Sequence, residues 1–359
     1  SRGIQMRQTV GERYRPPWQP RITSLGHAVA DRVVMTIDEC MSYFGYTSGI
    51  IKAMAQASKI SGKHWWCDPR KRYSVQEMTE DYEAGALALS CEAIQKCLDA
   101  YPIEKIGTFI YASCTKQLDL TPGMAFKIAG ALGMRSNVRM DEPTGLGCQG
   151  ALPSLETGYA HLMTFGEPVL LVACEICSAT FFDAPQGDVG NSLATLLFSD
   201  GASAALLDFS DNPAFPAIIG FDRYFSKDGE RLLGYDIKDG RKKVRLSKDV
   251  RTQVPPMVAQ TIQSLLKRHS LTTEDISNWC LHNGGAAILD EIALELGLDS
   301  QQAFRYSWET LSEYGNLSSA TVRVVAEKMH ADPKNRHGYV VAAAMGAGAG
   351  VGVALCRYG

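Results

Sequence analysis

No run of about 18 apolar residues occurs in this 359-residue chain, so no segment of it reads as a membrane-spanning helix. The opening stretch "SRGIQMRQTVGERYRPPWQPR" lacks the apolar core of an export signal, and the expected location is the cytoplasm. A basic surplus is missing as well. With a formal net charge of -3 and 21% charged residues there is no stripe for nucleic acid and no acidic tail, so an anionic ligand has to be gripped locally. Cysteine is plentiful, at ten residues, but the signs of pairing are absent. The cysteines are scattered through a long chain without an export signal, which points to free thiols serving mostly as small core residues. The one CxxC, "CEIC" at Cys174 and Cys177, closes an apolar run and has no second pair at zinc-site spacing. Neither a metal nor a redox cofactor is expected. A small molecule remains as the natural partner.

The chain is long for one typical domain, and its 45% hydrophobic content supplies two packed halves. Residues 1–20, rich in Arg and Pro without a period, read as an arm lying on the surface or on a partner subunit. Beyond them short β-rich runs alternate with helical stretches. "KIGTFIYASC" and "EPVLLVAC" read as buried strands, and "TPGMAFKIAGALGM", opened by Thr121 and Pro122, and "QGALPSLETGYAHLM" as helices between them. The second half repeats the rhythm: "QTIQSLLKRH" is helical, "ISNWCLHN" ends a strand, "AAILDEIALELGL" and "SSATVRVVAEKMH" are helices, and "GYVVAAAM" and "GVGVALCR" are closing strands. This alternation predicts an α/β fold with a mostly parallel sheet covered on both faces, built twice, with ligands beyond the carboxyl ends of the strands.

Three side chains stand out at the junctions. Cys148, in "EPTGLGCQGALPSLETGYAHL", sits between Gly147 and Gly150 where a turn becomes a helix, a position that favours a thiolate nucleophile. A buried structural cysteine is the plain alternative. His282, in "CLHNGGAAILDEI", ends a strand before two glycines and a helix, and Asn316, in "SEYGNLSSATV", follows Tyr314 and Gly315 at a helix start. An N-cap would explain that asparagine without chemistry. Each of the three lies where a doubled α/β fold presents side chains to a shared crevice.

In sequence order, "GCQGALPSLETGYAHL", "LLFSDGASAAL", "HNGGAAILD" and "YGNLSSATV" resemble the cysteine motif, the gatekeeper segment, the histidine motif and the asparagine motif of type III polyketide synthases, the chalcone synthase-like branch of the thiolase superfamily. The resemblance runs from about residue 20 to the C-terminus. It implies a duplicated thiolase-like fold, layered α-β-α-β-α with two mostly parallel sheets, in which residues 21–210 carry the cysteine and residues 211–359 the histidine and asparagine. It also implies a decarboxylative Claisen condensation. Cys148 would hold an acyl group, while His282 and Asn316 stabilise the enolate left when a malonyl-thioester loses carbon dioxide. Acyl-CoA and malonyl-CoA are the implied substrates, with acyl carrier protein as an alternative deliverer, and a homodimer is the implied assembly.

The resemblance carries further positions with it. Phe198 in "LLFSDG" matches the first gatekeeper phenylalanine, and Val244 stands where a second is usual, which predicts a wider passage and a bulky or long starter. Cys177, Thr180 and Ser318 match initiation-pocket positions. Lys52, Lys59 and Lys63 fall in the segment that grips coenzyme A, with Gly284 and Ala287 beside the histidine, and Thr121 is the residue expected to be contributed across the dimer. Departures are equally specific: Ala347 replaces the proline of the plant GFGPG loop, Asn283 stands where plant enzymes carry proline, and Trp65 and Trp66 have no counterpart. A ketoacyl synthase III-like enzyme making one condensation on carrier-protein thioesters, and a non-catalytic thiolase-fold subunit, stay open as alternatives.

Overall fold

A computed structural model of the chain describes residues 18–68, 74–118, 121–181, 189–238 and 240–359. Most of the expected N-terminal arm lies outside the described residues, and Gln19 and Pro20, assigned to it from sequence, already belong to the first strand. The first half opens with β1 (Gln19–Val29), followed by β2 (Val33–Thr36), α1 (Ile37–Tyr43), α2 (Gly49–Ala57) and β3 (Gly62–Trp65). It continues through α3 (Val75–Leu98), β4 (Thr108–Ala112), α4 (Met124–Ala131) and β5 (Arg139–Asp141). α5 (Ala151–Phe165), β6 (Val169–Glu175), α6 (Val189–Leu197) and β7 (Gly201–Ser210) complete it. α3 begins in a reciprocal cap between Ser74 and Glu77, which satisfies two of the otherwise unpaired N–H groups of its first turn.

The second half opens with β8 (Ala217–Tyr224), a hairpin of β9 (Leu233–Lys238) and β10 (Arg241–Leu246), and α7 (Val250–Arg268). β11 (Ile276–Leu281), α8 (Ala286–Leu296), α9 (Ser300–Ala303) and α10 (Arg305–Tyr314) come next. α11 (Thr321–Ala331), β12 (Tyr339–Gly346) and β13 (Gly350–Arg357) close the chain.

Duplication is written in the strand order. One half runs β1-β7-β6-β4 and then β5; the other runs β8-β13-β12-β11. Along each run the first two pairings are antiparallel and the third is parallel. The two half-sheets meet at β1 and β8, where Arg21 lies opposite Ala217. The expectation of mostly parallel sheets is therefore corrected: β7, β8 and β13 run antiparallel to their neighbours, and only the outer pairs are parallel.

The alternation of side chains resolves the layers. Phe109, Tyr111, Leu170 and Val172 face α3 and α4, whereas Ile110, Ala112, Leu171 and Ala173 face α5 and α11. In the other half Val340 and Ala344 join that same central layer, while Val341, Ala343, Val351 and Val353 pack on α7 and α8. The order is thus α-β-α-β-α, with α5 and α11 sandwiched between the two half-sheets. β6, "VLLVACE", is buried along its whole length, as a strand covered on both faces must be. α5 leads into β6, and α11 leads into β12, so the two central helices occupy matching places in the two halves. Their N-terminal ends carry Cys148 and Asn316.

Candidate active site

Cys148 lies in a single 3₁₀ turn, Gly147–Gln149, immediately before α5. Gly147 has φ +58°, and a Cβ there would fall 2.6 Å from the Ala347 backbone nitrogen. Only glycine lets the cysteine loop rest against the "GAGAG" loop of the other half at this distance. The Cys148 Sγ lies 3.3 Å from the Ser318 hydroxyl, and that hydroxyl is also 3.9 Å from the Cys114 Sγ. Behind them Glu175, fully buried, accepts from the backbone N–H groups of Cys114 and Thr115 and from the hydroxyls of Thr115 and Ser319. This carboxylate fixes the turn after β4 against the start of α11.

Asn316 is buried and backbone-paired with the gatekeeper segment. Its N–H donates to the Leu197 carbonyl and its carbonyl accepts from Ser199 N–H, both at 2.9 Å. Its Oδ1 accepts from Ser318 N–H at 2.7 Å, so the side-chain oxygen is engaged locally and the amide NH₂ is the group left to donate. His282 follows β11 directly, and its N–H donates to the Ala343 carbonyl at 2.8 Å. The neighbouring Asn283, fully buried, donates through Nδ2 to the Gly315 carbonyl at 3.2 Å, tying the histidine segment to the asparagine segment. A proline in its place has no such donor.

Burial governs the electrostatics. It pushes the Cys148 thiol up to about 12, against the lowering effect of the Ser318 hydroxyl, and holds the His282 imidazole down to about 3. Nδ1 of His282 is buried without a hydrogen-bond partner among the described residues. Burial thus works against the thiolate expected at a helix N-terminus and against an imidazolium at His282.

One cavity of about 30 Å³ gathers Cys148, Cys177, Thr180, Phe198, Val244 and Ser318, six positions singled out from sequence. It is completed by Cys114, Gly147, Leu233, Gly234, Tyr235 and Ala347. Val244 pairs directly across the hairpin with Tyr235, and Leu233 comes from the same strand. Both side chains share the cavity wall with Val244, so among the described residues the cavity beside Val244 is narrow. Sequence reading missed both because no local pattern signals which strand will face β10. Neither His282 nor Asn316 lines the cavity; Asn316 is joined to its wall through Ser318 and Phe198.

The remaining expected positions are dispersed. Lys52 and Lys59 are exposed and line no part of this cavity. Lys63 is fully buried, its ammonium donating to the Phe198 carbonyl, which corrects its assignment to a tunnel mouth. Gly284 and Ala287 are half-buried at the start of α8. Thr121 is exposed before α4. Cys174 points to the far side of β6, toward Ala86, away from Cys177 in the cavity, so the CxxC is not a working pair. Among the described residues no group of three His, Cys, Asp or Glu could hold a metal ion.

Residues 63–211 match the N-terminal domain of chalcone and stilbene synthases, and residues 224–357 match their C-terminal domain. The chain belongs to this family, the type III polyketide synthases. A putative chalcone synthase of Bacillus subtilis is 29% identical over 272 residues, covering 71% of this synthase and 73% of the relative. A 3,5-dihydroxyphenylacetyl-CoA synthase of Streptomyces toyocaensis is 26% identical over 361 residues, covering 95% and 91%. Among solved structures, the fold is shared with PKS-I of the brown alga Ectocarpus siliculosus, at 19% identity with TM-score 0.86 over 99% of this chain and 100% of that one. The 1,3,6,8-tetrahydroxynaphthalene synthase of Streptomyces coelicolor superposes with TM-score 0.85 at 23% identity, covering 94% and 99%. This synthase is accordingly an acyltransferase of the Claisen-condensing type with a duplicated thiolase-like fold. No helix among its described residues is long and apolar enough to cross a membrane.

Proposed function

We propose that this synthase condenses malonyl-thioester units onto a short acyl group held on Cys148, and that malonyl-CoA itself supplies that group. The observation that carries the reading is the small cavity around Cys148, closed by Leu233 and Tyr235. Two relatives, a 3,5-dihydroxyphenylacetyl-CoA synthase and a 1,3,6,8-tetrahydroxynaphthalene synthase, support an aromatic product built by repeated extension.

In this reading the Cys148 thiol attacks the thioester carbonyl as its proton passes to His282, which then protonates the departing CoA thiolate. A malonyl-thioester next loses carbon dioxide. The enolate oxygen is stabilised by the Asn316 amide and by His282, and its carbon attacks the Cys148 thioester. The Cys148 sulfur leaves, and the lengthened β-ketoacyl chain departs on the incoming thioester. A neutral His282 suits both roles, since it accepts a proton in the first step and donates an N–H bond in the second.

The finer assignments belong to the same proposal. The two halves divide into residues 21–210 and 211–359, and two chains pair with Thr121 reaching across. Lys52 and Lys59, with backbone at Gly284 and Ala287, meet coenzyme A. Product analysis by mass spectrometry with malonyl-CoA alone, then with acetyl-, hexanoyl- and benzoyl-CoA added, tests the reading. Condensation products from malonyl-CoA alone are expected, and a strict requirement for a bulky starter would overturn it.

A further inference from the structure

The tryptophan pair that sets this chain apart stands in "SGKHWW", and the strand it belongs to, β3, does not touch the cavity. It grips the segment that does. Lys63 Nζ donates to the Phe198 carbonyl at 2.5 Å, and Trp65 Nε1 donates to the same oxygen at 3.0 Å. The pairing continues one residue at a time: His64 N–H donates to the Ser199 hydroxyl at 3.2 Å, Asp200 N–H donates to the His64 carbonyl at 2.8 Å, and Trp66 N–H donates to Asp200 Oδ2 at 2.7 Å. On its other side the same segment is paired with Asn316 through both backbone groups. Residues 197–200 are thus held between β3 and the asparagine of the condensation site.

Two donors on one carbonyl fill both of its lone pairs and leave the peptide after Phe198 a single orientation. That peptide sets the direction of the Phe198 side chain into the cavity and, through the bridge, the place of Asn316. Lys63 is fully buried and Trp65 likewise, with Phe181 edge-on at 5.7 Å and Phe44 at 6.0 Å fixing the indole. Gly315 completes the fit: at φ +75°, a Cβ there would lie 2.8 Å from the Leu197 carbonyl oxygen and 3.5 Å from Lys63 Nζ. Burying an ammonium costs stability, and the lowering of Lys63 to about 8, by desolvation against Cys40, Cys177 and Asp200, records that cost. A leucine would fill the space without it but could not hold the carbonyl.

We infer that Lys63 and Trp65 are positioning residues for condensation and starter choice, acting through the Phe198 carbonyl on the pocket wall and on Asn316. The inference rests on the proposed condensing activity. Its test uses the full chain, with Lys63→Met and Trp65→Phe, the second keeping an aromatic ring while removing the donor. Three quantities are measured: acylation of Cys148 in a single turnover, kcat and KM for condensation of malonyl-CoA, and kcat/KM for hexanoyl- against acetyl-CoA.

Relative to wild type, each variant should lower the ratio of condensation to acylation at least tenfold, through kcat and with KM within about threefold. Each should also change the hexanoyl-to-acetyl ratio at least threefold. Proportional loss of acylation and condensation with an unchanged starter ratio would mean that β3 is merely structural and would overturn the inference. If Lys63→Met does not fold, Trp65→Phe decides alone by the same criteria. Absence of any Cys148 adduct in the wild-type protein would instead sink the proposed function.

Discussion

Replacing Tyr235 by Ala should open the synthase to longer starters. Tyr235 faces Val244 across the hairpin and forms one wall of a cavity of only about 30 Å³. The change removes about seven heavy atoms, space for three or four methylenes, and at ~0.8 kcal/mol for each buried methylene the longer starter gains about 3 kcal/mol. That is about 100-fold in kcat/KM for hexanoyl- over acetyl-CoA. The assay is quenched acylation of Cys148 across a series from acetyl- to octanoyl-CoA, read as intact-protein mass. Large-to-small changes at buried aromatics cost about 3 to 5 kcal/mol, and Tyr235 is only half-buried, so Tyr235→Leu serves as the milder companion, with a gain of about tenfold. An unaltered chain-length profile in both variants, or an equal loss for every starter, would refute the assignment of Tyr235 as the pocket's floor.

Val244→Phe crowds the same space from the opposite strand. Overpacking by about 1 to 3 kcal/mol should slow acylation about five- to 150-fold even for acetyl-CoA, and acylation rates equal to wild type would place Val244 outside the acyl path. Because the Cys148 thiol is held up to about 12, its modification by iodoacetamide should rise about tenfold per pH unit from pH 7 to 10. A rate already level below pH 8 would show that a thiolate–imidazolium pair forms at rest. Asn316→Ala should keep acylating Cys148 while condensation falls about 100- to 1,000-fold, the usual cost of one oxyanion donor, and parallel loss of both steps would make the residue structural. His282, held down to about 3 in the fold against an ordinary value near 6.5, binds fewer protons folded than unfolded between those values, so its contribution to stability is present above pH 6.5 and lost as pH falls toward 3. Denaturant titrations of His282→Gln at pH 4 and pH 7 should show a shallower loss toward acid than wild type, and identical slopes would contradict the burial argument.

Much of the frame was legible because it is local. The run "EPVLLVAC" is too short and apolar for anything but a buried strand, and glycines around Cys148 and after His282 mark the strand-to-helix junctions where β11 ends and α5 begins. Five of the six expected positions that meet in the cavity lie at or near such junctions, whereas Val244 reaches it from within β10. Strand direction was not legible: β7, β8 and β13 carry no pattern that says they run against their neighbours, and pairing is decided by the whole sheet. α7 extends from Val250 through Pro255 and Pro256, ahead of the periodic "QTIQSLLKRH", since tertiary packing of Val254 and Val258 outweighs a local helix breaker. Lys63 shows the same limit. A lysine near a ligand-binding segment reads as a surface cation, and only the fold reveals that its ammonium ends on a carbonyl under the pocket.

The two central helices have matching places in the two halves, yet their heads differ: one offers a thiol, the other an amide and a hydroxyl. Two identical chains meeting about a two-fold axis would be obliged to present the same side chain twice, and any substitution would change both at once. Joining the halves in one chain lifts that obligation. Under the proposed mechanism the cysteine end can be tuned for capture and the asparagine end for donation independently, which gives the site a side for the growing chain and a side for the next unit.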